Sequence, residues 1–168
     1  MAWGAVVSPE FRAAVVDICD GLGIDPSWLM ACMAFESAYS FDPAKRNPGS
    51  SATGLIQFMA TTARGLGTTT DALAAMTAVE QLDYVRLYFK PYAGRMATLA
   101  DVYMAILYPK AIGKPDDYAL FVDPAKTYQP NSGLDANRDK KVTKAEAAAS
   151  VRAAMDRGLR PGNVWSGS

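Results

Sequence analysis

The sequence predicts a mainly α fold, an irregular packing of about five to seven short helices around one core. Three observations lead there. Residue pairs that open helices, and glycines or prolines that stop them, recur along the chain. No segment sustains the apolar-polar alternation of a strand. The 168 residues are half apolar, enough for one domain that buries roughly 70% of the unfolded chain's surface and too few for two.

The elements follow in order. Ser8-Pro9 supplies an N-cap and a first helical position for "EFRAAVVDICDGLG", which runs into glycine. Asp25-Pro26 repeats the signature and opens "SWLMACMAFES". Between Ser27 and Glu36 this run has no polar stripe, so it should be the central helix, buried nearly all round. Thr61 can cap a short helix that stops at "GLG", and Thr77 with Glu80 makes a capping box for "TAVEQLDYVRLYFKPY". Thr98 with Asp101 opens "LADVYMAILY", which Pro109 ends. Thr143 and Glu146 form a second capping box, for "KAEAAASVRAAMDRG". Two stretches stay outside this pattern: the turn-rich residues 40–53, "SFDPAKRNPGSSAT", and residues 109–134, with a small hairpin expected around "TYQPNSG". There is no internal repeat and no low-complexity tract.

Composition narrows the chemistry. The chain has no histidine, which removes Ser-His and Cys-His nucleophile pairs, histidine-bound zinc and imidazole bases together. Any reaction must run on carboxylates, hydroxyls, thiols, amides or amines. Cys19 and Cys32 both lie in apolar helical surroundings, where burial as small thiols is the commoner arrangement and a disulfide between them also fits. Charge is balanced overall but uneven: residues 1–122 hold nine basic and twelve acidic groups, residues 123–168 eight and five. The basic residues are scattered and not interleaved with aromatics, so nucleic acid is not an expected partner. No apolar run is long enough for a membrane span. The stretch "MAWGAVVSPEFR" lacks the basic and apolar parts of a signal peptide, so synthesis in a cytoplasm without such a signal is expected.

Glu36 is the residue that the pattern singles out. It closes an apolar helix, so it is either solvated where the helix emerges or held where water is scarce. In the second case the helix C-terminal carbonyls and the apolar surround both disfavour its charge and raise its pKa. A carboxyl protonated near neutral pH is a general acid.

Glu36-Ser37, followed by an aromatic, the "DP" pair at 42–43 and a polar loop, and then "GLIQFM" at 54–59, resembles soluble lytic transglycosylases, which share the goose-lysozyme type of fold. The resemblance is closest over residues 34–67, and short forms of this kind look most like bacteriophage wall-degrading proteins. It implies a lysozyme-like body over residues 1–122, with residues 123–168 as an extension packed on it. By that resemblance Glu36 would be the single catalytic acid and base. Ser37 would orient the substrate or the acid, and Gln57 would bond sugar from the cleft wall. Ser37 could equally cap the helix end, and Gln57 could satisfy loop carbonyls. The family's third segment, Ala-Tyr-Asn followed by Gly, is poorly kept in "DVYMAILYP": by the resemblance Tyr103 would stand for its tyrosine, the alternative being a core aromatic, while Met104 replaces the asparagine.

The implied substrate is the glycan strand of peptidoglycan, cut between N-acetylmuramic acid and N-acetylglucosamine with closure of a 1,6-anhydro ring. No cofactor is needed for that step. The place of action would be the cell wall in the periplasm, or a phage particle. A goose-lysozyme-like muramidase is the alternative. An inverting hydrolase needs a second carboxylate about 6.5–9.5 Å away to activate water. Asp42 is the nearest in sequence, but "FDP" reads more simply as a turn in which the aspartate caps its own backbone. A third alternative, from another class, is a wall-binding or virion protein without turnover.

The C-terminal segment carries a separate signal. "DANRDKKVTKAE" places Asp135, Asn137, Asp139, Lys141, Thr143 and Glu146 at positions 1, 3, 5, 7, 9 and 12 of an EF-hand-like loop, with Lys141 giving only its carbonyl. Lys140 stands where glycine normally makes the turn, and "TYQPNSGL" is not expected to form a regular entering helix. The capping box accounts for Thr143 and Glu146 without a metal, but not for Asp135, Asn137 and Asp139. A structural calcium ion is the expectation, with no part in catalysis.

Overall fold

The computed structural model describes residues 1–167 and is mainly helical. Eight α-helices, four short 3-10 turns and one two-stranded antiparallel sheet follow in the order α1 (Pro9–Leu22), α2 (Pro26–Glu36), α3 (Ala60–Gly65), α4 (Thr70–Ala75), α5 (Ala78–Phe89), α6 (Leu99–Leu107), β1 (Ala119–Val122), α7 (Tyr128–Asn131), β2 (Lys141–Thr143) and α8 (Lys144–Gly158). None of these helices is long and apolar enough to cross a membrane.

The helix starts behave as their side chains dictate. The hydroxyl of Ser8 accepts the Phe11 amide at 3.2 Å, and Oδ1 of Asp25 accepts the Ser27 amide at 2.7 Å, each just ahead of a proline. Both capping boxes form, at Thr77 with Glu80 and at Thr143 with Glu146. Thr98 accepts the Asp101 amide at 3.1 Å. Gly23, at φ 70°, closes α1 in the left-handed conformation that a residue with a Cβ resists.

Helix α2 is the centre of the molecule. Leu29, Met30, Ala31, Cys32, Met33 and Ala34 are fully buried, as the missing polar stripe requires. α1, α6 and α8 all pack on it. The extension is therefore continuous with the core: α8 lies against both α2 and α6, and its Ala147, Ala148, Val151 and Ala154 are fully buried. A buried ion pair fastens this contact. Nζ of Lys144 donates to Oδ1 of Asp101 at 2.6 Å and to the Lys114 carbonyl at 2.7 Å, while Asp101 also accepts the amides of Gly113 and Ala97. With every neighbour satisfied, the pair is well held, and truncating one partner would leave a buried charge alone.

Four expectations need correction. α3 starts at Ala60 and not beyond Thr61, because the Ser51 hydroxyl, reaching across from the loop, accepts the Ala60 amide at 3.0 Å. α4 is an additional helix, capped by Thr69, whose hydroxyl accepts the Ala72 amide at 3.0 Å. Residues 127–133 form no hairpin; they wind through α7 into a 3-10 turn at Ser132–Leu134. The strands that do form are β1 and β2, paired across 18 intervening residues and irregular between Ala119 and Phe121, too short to leave an alternation in the sequence. Cys19 and Cys32, by contrast, are buried free thiols, the commoner of the two arrangements expected for them.

Candidate active site

Glu36 is the last residue of α2, and the buried run behind it fixes where its side chain emerges. Past Ser37 the chain turns sharply, with Ala38 at φ 53°, Tyr39 at φ 66° and Phe41 at φ 51°. Side chains with a Cβ pay for such angles, so other contacts must hold them there. The Tyr39 amide donates to the Ala34 carbonyl at 2.6 Å, and the Phe41 amide to the Ser37 hydroxyl at 2.9 Å. Tyr39 is sandwiched between the Arg157 guanidinium, 4.3 Å from its ring centroid, and Trp3, at 5.4 Å. Phe41 packs on Trp3 and Phe11. Both tips of the molecule thus brace the turn after Glu36: Trp3 from the N-terminal stretch and Arg157 from α8.

The Glu36 carboxyl is half-buried, and burial alone pushes its pKa up to about 7. No cation or donor offsets that loss of water. Its neighbours respond to it. Burial first, and then the Glu36 charge, pushes the Tyr103 hydroxyl well up; at Tyr88 burial, Tyr92 and Glu36 act in that order. The Cys32 thiol is likewise pushed up by burial and then by Glu36. The carboxyl therefore sits among groups that stay uncharged near neutral pH.

Tyr103 is 4% exposed and meets Phe35 edge-on, with ring centroids 5.9 Å apart. Ser37 is fully buried, with its hydroxyl engaged by the Phe41 amide. Gln57 lies on the tight turn that "GLIQFM" forms between Thr53 and Phe58, whose backbones bond each other in both directions. Its own φ is 55°, and its Nε2 donates to the carbonyls of Lys45 at 3.1 Å and Gly54 at 3.0 Å. Gln57 remains partly exposed, leaving its Oε1 as the outward-facing acceptor. The residues from 56 to 59 share a small recess of about 50 Å³ with Thr62, Tyr88 and Ile106. Tyr88 thus links Gln57 to Glu36: it borders the recess and feels the carboxylate.

Two groups around this site escape a reading of the sequence. Tyr88 lies on α5, where its hydroxyl donates to the Ala105 carbonyl at 2.6 Å. Gln81 is fully buried on the same helix: Oε1 accepts the Leu55 amide at 2.7 Å, and Nε2 donates to the carbonyls of Pro43 at 3.0 Å and Leu73 at 2.9 Å. One amide thereby ties the polar loop, the Gln57 turn and α4 to α5. Gly54, at φ 84°, is required there because a Cβ would collide with the Gln81 amide. The signal in the sequence was a polar residue on the inward side of the "VEQLDYV" stretch.

Asp42 is exposed, and its Oδ1 accepts the Ala44 amide at 2.8 Å, the expected self-capping turn. Larger concavities exist elsewhere. One of about 390 Å³ runs along α1 beside Arg12, Asp17, Asp20 and Trp165, and one of about 530 Å³ lies by Met76, Glu80, Asp83 and Tyr84. Neither borders Glu36. The carboxyl of Glu80 is held below the usual range by the Thr77 amide and hydroxyl, so it is a cap and not an acid. Volume is thus a poor guide here, and the perturbed carboxyl is the better one.

The 135–146 loop lies in the extension, between α7 and α8. Among the described residues, no three His, Cys, Asp or Glu side chains converge closely enough to hold a metal by themselves. Asp135 is 7% exposed, its Oδ2 accepting the Tyr128 hydroxyl at 2.7 Å and the Lys140 amide at 2.9 Å. Asp139 is exposed, with Oδ1 accepting the Lys141 amide at 3.0 Å and Oδ2 the Asn137 side-chain amide at 3.2 Å. Among the described residues, the seven non-glycine residues with positive φ fall in two places: Trp3, Ala38, Tyr39, Phe41 and Gln57 around Glu36 and its bracing, and Arg138 and Lys140 in this loop. No protein-family model matches the chain, and no curated protein is significantly similar to it.

Proposed function

We propose that the chain is a peptidoglycan lytic transglycosylase that uses Glu36 as its only acid and base. One observation carries the reading: a carboxyl at the end of the central buried helix, with a pKa brought to about 7 by burial and no cation beside it. A group so tuned is protonated in a large fraction of molecules at neutral pH and can still act as a base after giving up its proton. The backbone angles held open by packing on either side of it support the same reading, since such strain collects at working sites.

In this reading Glu36 donates its proton to the oxygen that links N-acetylmuramic acid to N-acetylglucosamine. The C1–O bond breaks as the leaving sugar takes that proton, and the substrate's own 2-acetamido oxygen closes on C1 to share the positive charge. Glu36, now ionised, removes the proton of the C6 hydroxyl. The C6 oxygen attacks C1, displaces the acetamido oxygen and closes the 1,6-anhydro ring, leaving Glu36 protonated for the next turnover. No second carboxylate is needed, which agrees with Asp42 being spent on its own turn. Gln57 Oε1 and the partly exposed ring of Tyr88 are the groups available to orient sugar, Ser37 contributes by fixing the turn after the acid, and Tyr103, almost wholly buried, packs against Phe35 behind them. The bond cut belongs to wall glycan, so the site of action in this reading is the cell wall, reached from a host cytoplasm or carried on a phage particle.

The test is Glu36→Gln. The amide keeps the shape and has no transferable proton, so release of soluble fragments from purified peptidoglycan should fall at least about a hundredfold, with helicity and cooperative melting retained. A folded Glu36→Gln protein that still clears the wall polymer contradicts the assignment of the acid.

A further inference from the structure

The proposed reaction makes no use of residues 135–146. There the chain leaves the 3-10 turn at Ser132–Leu134, passes Arg138 at φ 60° and Lys140 at φ 68°, and enters β2 and α8. The left-handed turn that a glycine would make at the sixth position of such a loop is made by Lys140. Oxygen donors recur at alternate positions: the Asp135 carboxylate, the Asn137 amide, the Asp139 carboxylate and the Lys141 carbonyl. Glu146 adds a carboxylate from the first turn of α8.

Two observations independent of that spacing point to a ligand. Oε1 of Glu146 is buried and has no hydrogen-bond partner, alone among the side-chain nitrogens and oxygens of the described residues. The capping box uses only the other oxygen, Oε2, which accepts the Thr143 amide at 2.9 Å and its hydroxyl at 2.8 Å. A helix cap therefore explains half of this carboxylate; the Asn137 backbone amide also faces it from the loop, but Oε1 closes no hydrogen bond of good geometry. The second observation is a missing counter-charge. Asp135 is more than nine-tenths buried. Two nearby ammonium groups are turned elsewhere, Lys140 to Asp123 at 3.5 Å and Lys144 to Asp101 at 2.6 Å, while Lys141 meets only the outer carboxylate, Asp139, at 3.9 Å. Among the described residues neither Asp135 nor Glu146 has a cationic partner.

We infer that residues 135–146 bind a divalent cation of the calcium class through Asp135, Asn137, Asp139, the Lys141 carbonyl and Glu146. A mixed set of charged and neutral oxygens suits calcium, which takes roughly six to eight oxygens in flexible geometry, better than magnesium with its strict octahedron. Zinc is disfavoured by the absence of histidine and by the burial of both thiols in the helical core. Asp139 is exposed, and to bind the cation it must exchange its bonds with Lys141 and the Asn137 side chain for the ion. Arg138, Lys140 and Lys141 lower the local charge, so the affinity belongs with the weak extracellular sites, at about 10⁻⁴–10⁻³ M. Because Glu146 belongs to α8, the cation fastens the loop to the helix that covers α2.

The experiment uses the full chain and terbium as a luminescent stand-in for calcium. Tyr128, whose hydroxyl touches Asp135, is placed to sensitise an ion bound there. Terbium emission excited through tyrosine should saturate, be displaced by millimolar calcium, and resist the same concentration of magnesium. Calcium should also raise the melting temperature, with chelator reversing the rise. Tyr128→Phe should dim the emission without abolishing the calorimetric heat of calcium binding. Glu146→Gln and Asp139→Asn should each weaken binding at least about tenfold, through the lost ligand charge. The exposed Asp139 variant keeps the test decisive even where the Glu146 variant frays α8. Absence of calcium binding by calorimetry up to about 10 mM, an order above the expected range, overturns the site. So does binding that survives both substitutions together. Equal displacement by magnesium overturns the choice of calcium.

Discussion

Glu36 carries opposite consequences for activity and for stability, and both follow from one cause. Burial raises the pKa of the folded state to about 7 from the ordinary 4.5. Between those values the folded protein keeps a proton that the unfolded chain has released, so stability falls as pH rises through the window. Above it the penalty is complete, on the order of 3 kcal/mol for a shift of this size. Glu36→Gln removes the ionisable group and with it this penalty. The variant should therefore be more stable than the parent at about pH 8, by up to about 3 kcal/mol in urea unfolding, with the difference closing towards pH 4. A variant that is equally or less stable at the higher pH would mean that water reaches the carboxyl and that its pKa is ordinary. Activity should run the other way, declining as the acid ionises above neutral pH.

At the scale of the element, the Gln57 turn depends on Gln81, a buried residue of α5. Gln81 of α5 satisfies one amide and two carbonyls from three separate segments, and it is fully buried. Replacing it by Leu keeps the volume and leaves those three groups unpartnered, at roughly 1–3 kcal/mol for each. Gln81→Leu should lower the melting temperature markedly and reduce turnover through a displaced Gln57 turn, whereas a substitution at exposed Lys90, just past the end of α5, should change neither. Unaltered melting in Gln81→Leu would mean that the loop is held by other contacts. The same element shows what the sequence made legible. α1, α2, α5, α6 and α8 begin at side chains that cap their own helices, so local chemistry announces them. α3 does not, because its cap comes from Ser51, nine residues earlier, and β1 and β2 exist only by pairing with each other. Likewise Glu36 stands out as a carboxylate closing an apolar run. Tyr88 and Gln81 become visible only when α5 is laid beside α6 and the polar loop, since tyrosine and glutamine on a helix have many ordinary uses.

Over the whole molecule, the acid is a property of the packing and not of one motif. α1, α6 and α8 enclose α2, the Lys144–Asp101 pair joins the extension to α6, and Trp3 and Arg157 brace the turn that follows Glu36. Residues 123–168 thereby belong to the same core as Glu36. Their modest excess of basic groups stands against a slightly acidic remainder of the chain, and one of them, Lys144, is buried in the pair with Asp101. The central claim is a single carboxyl that first gives and then takes a proton, with the C6 hydroxyl and not water as acceptor. Mass spectrometry of the fragments released from purified peptidoglycan reads that choice directly. The account predicts muropeptides ending in 1,6-anhydro-N-acetylmuramic acid, lighter by one water than their hydrolytic counterparts. Reducing-end products in their place would make the protein a muramidase, and no released fragments from folded protein would leave it a wall-binding module, either of which contradicts the account.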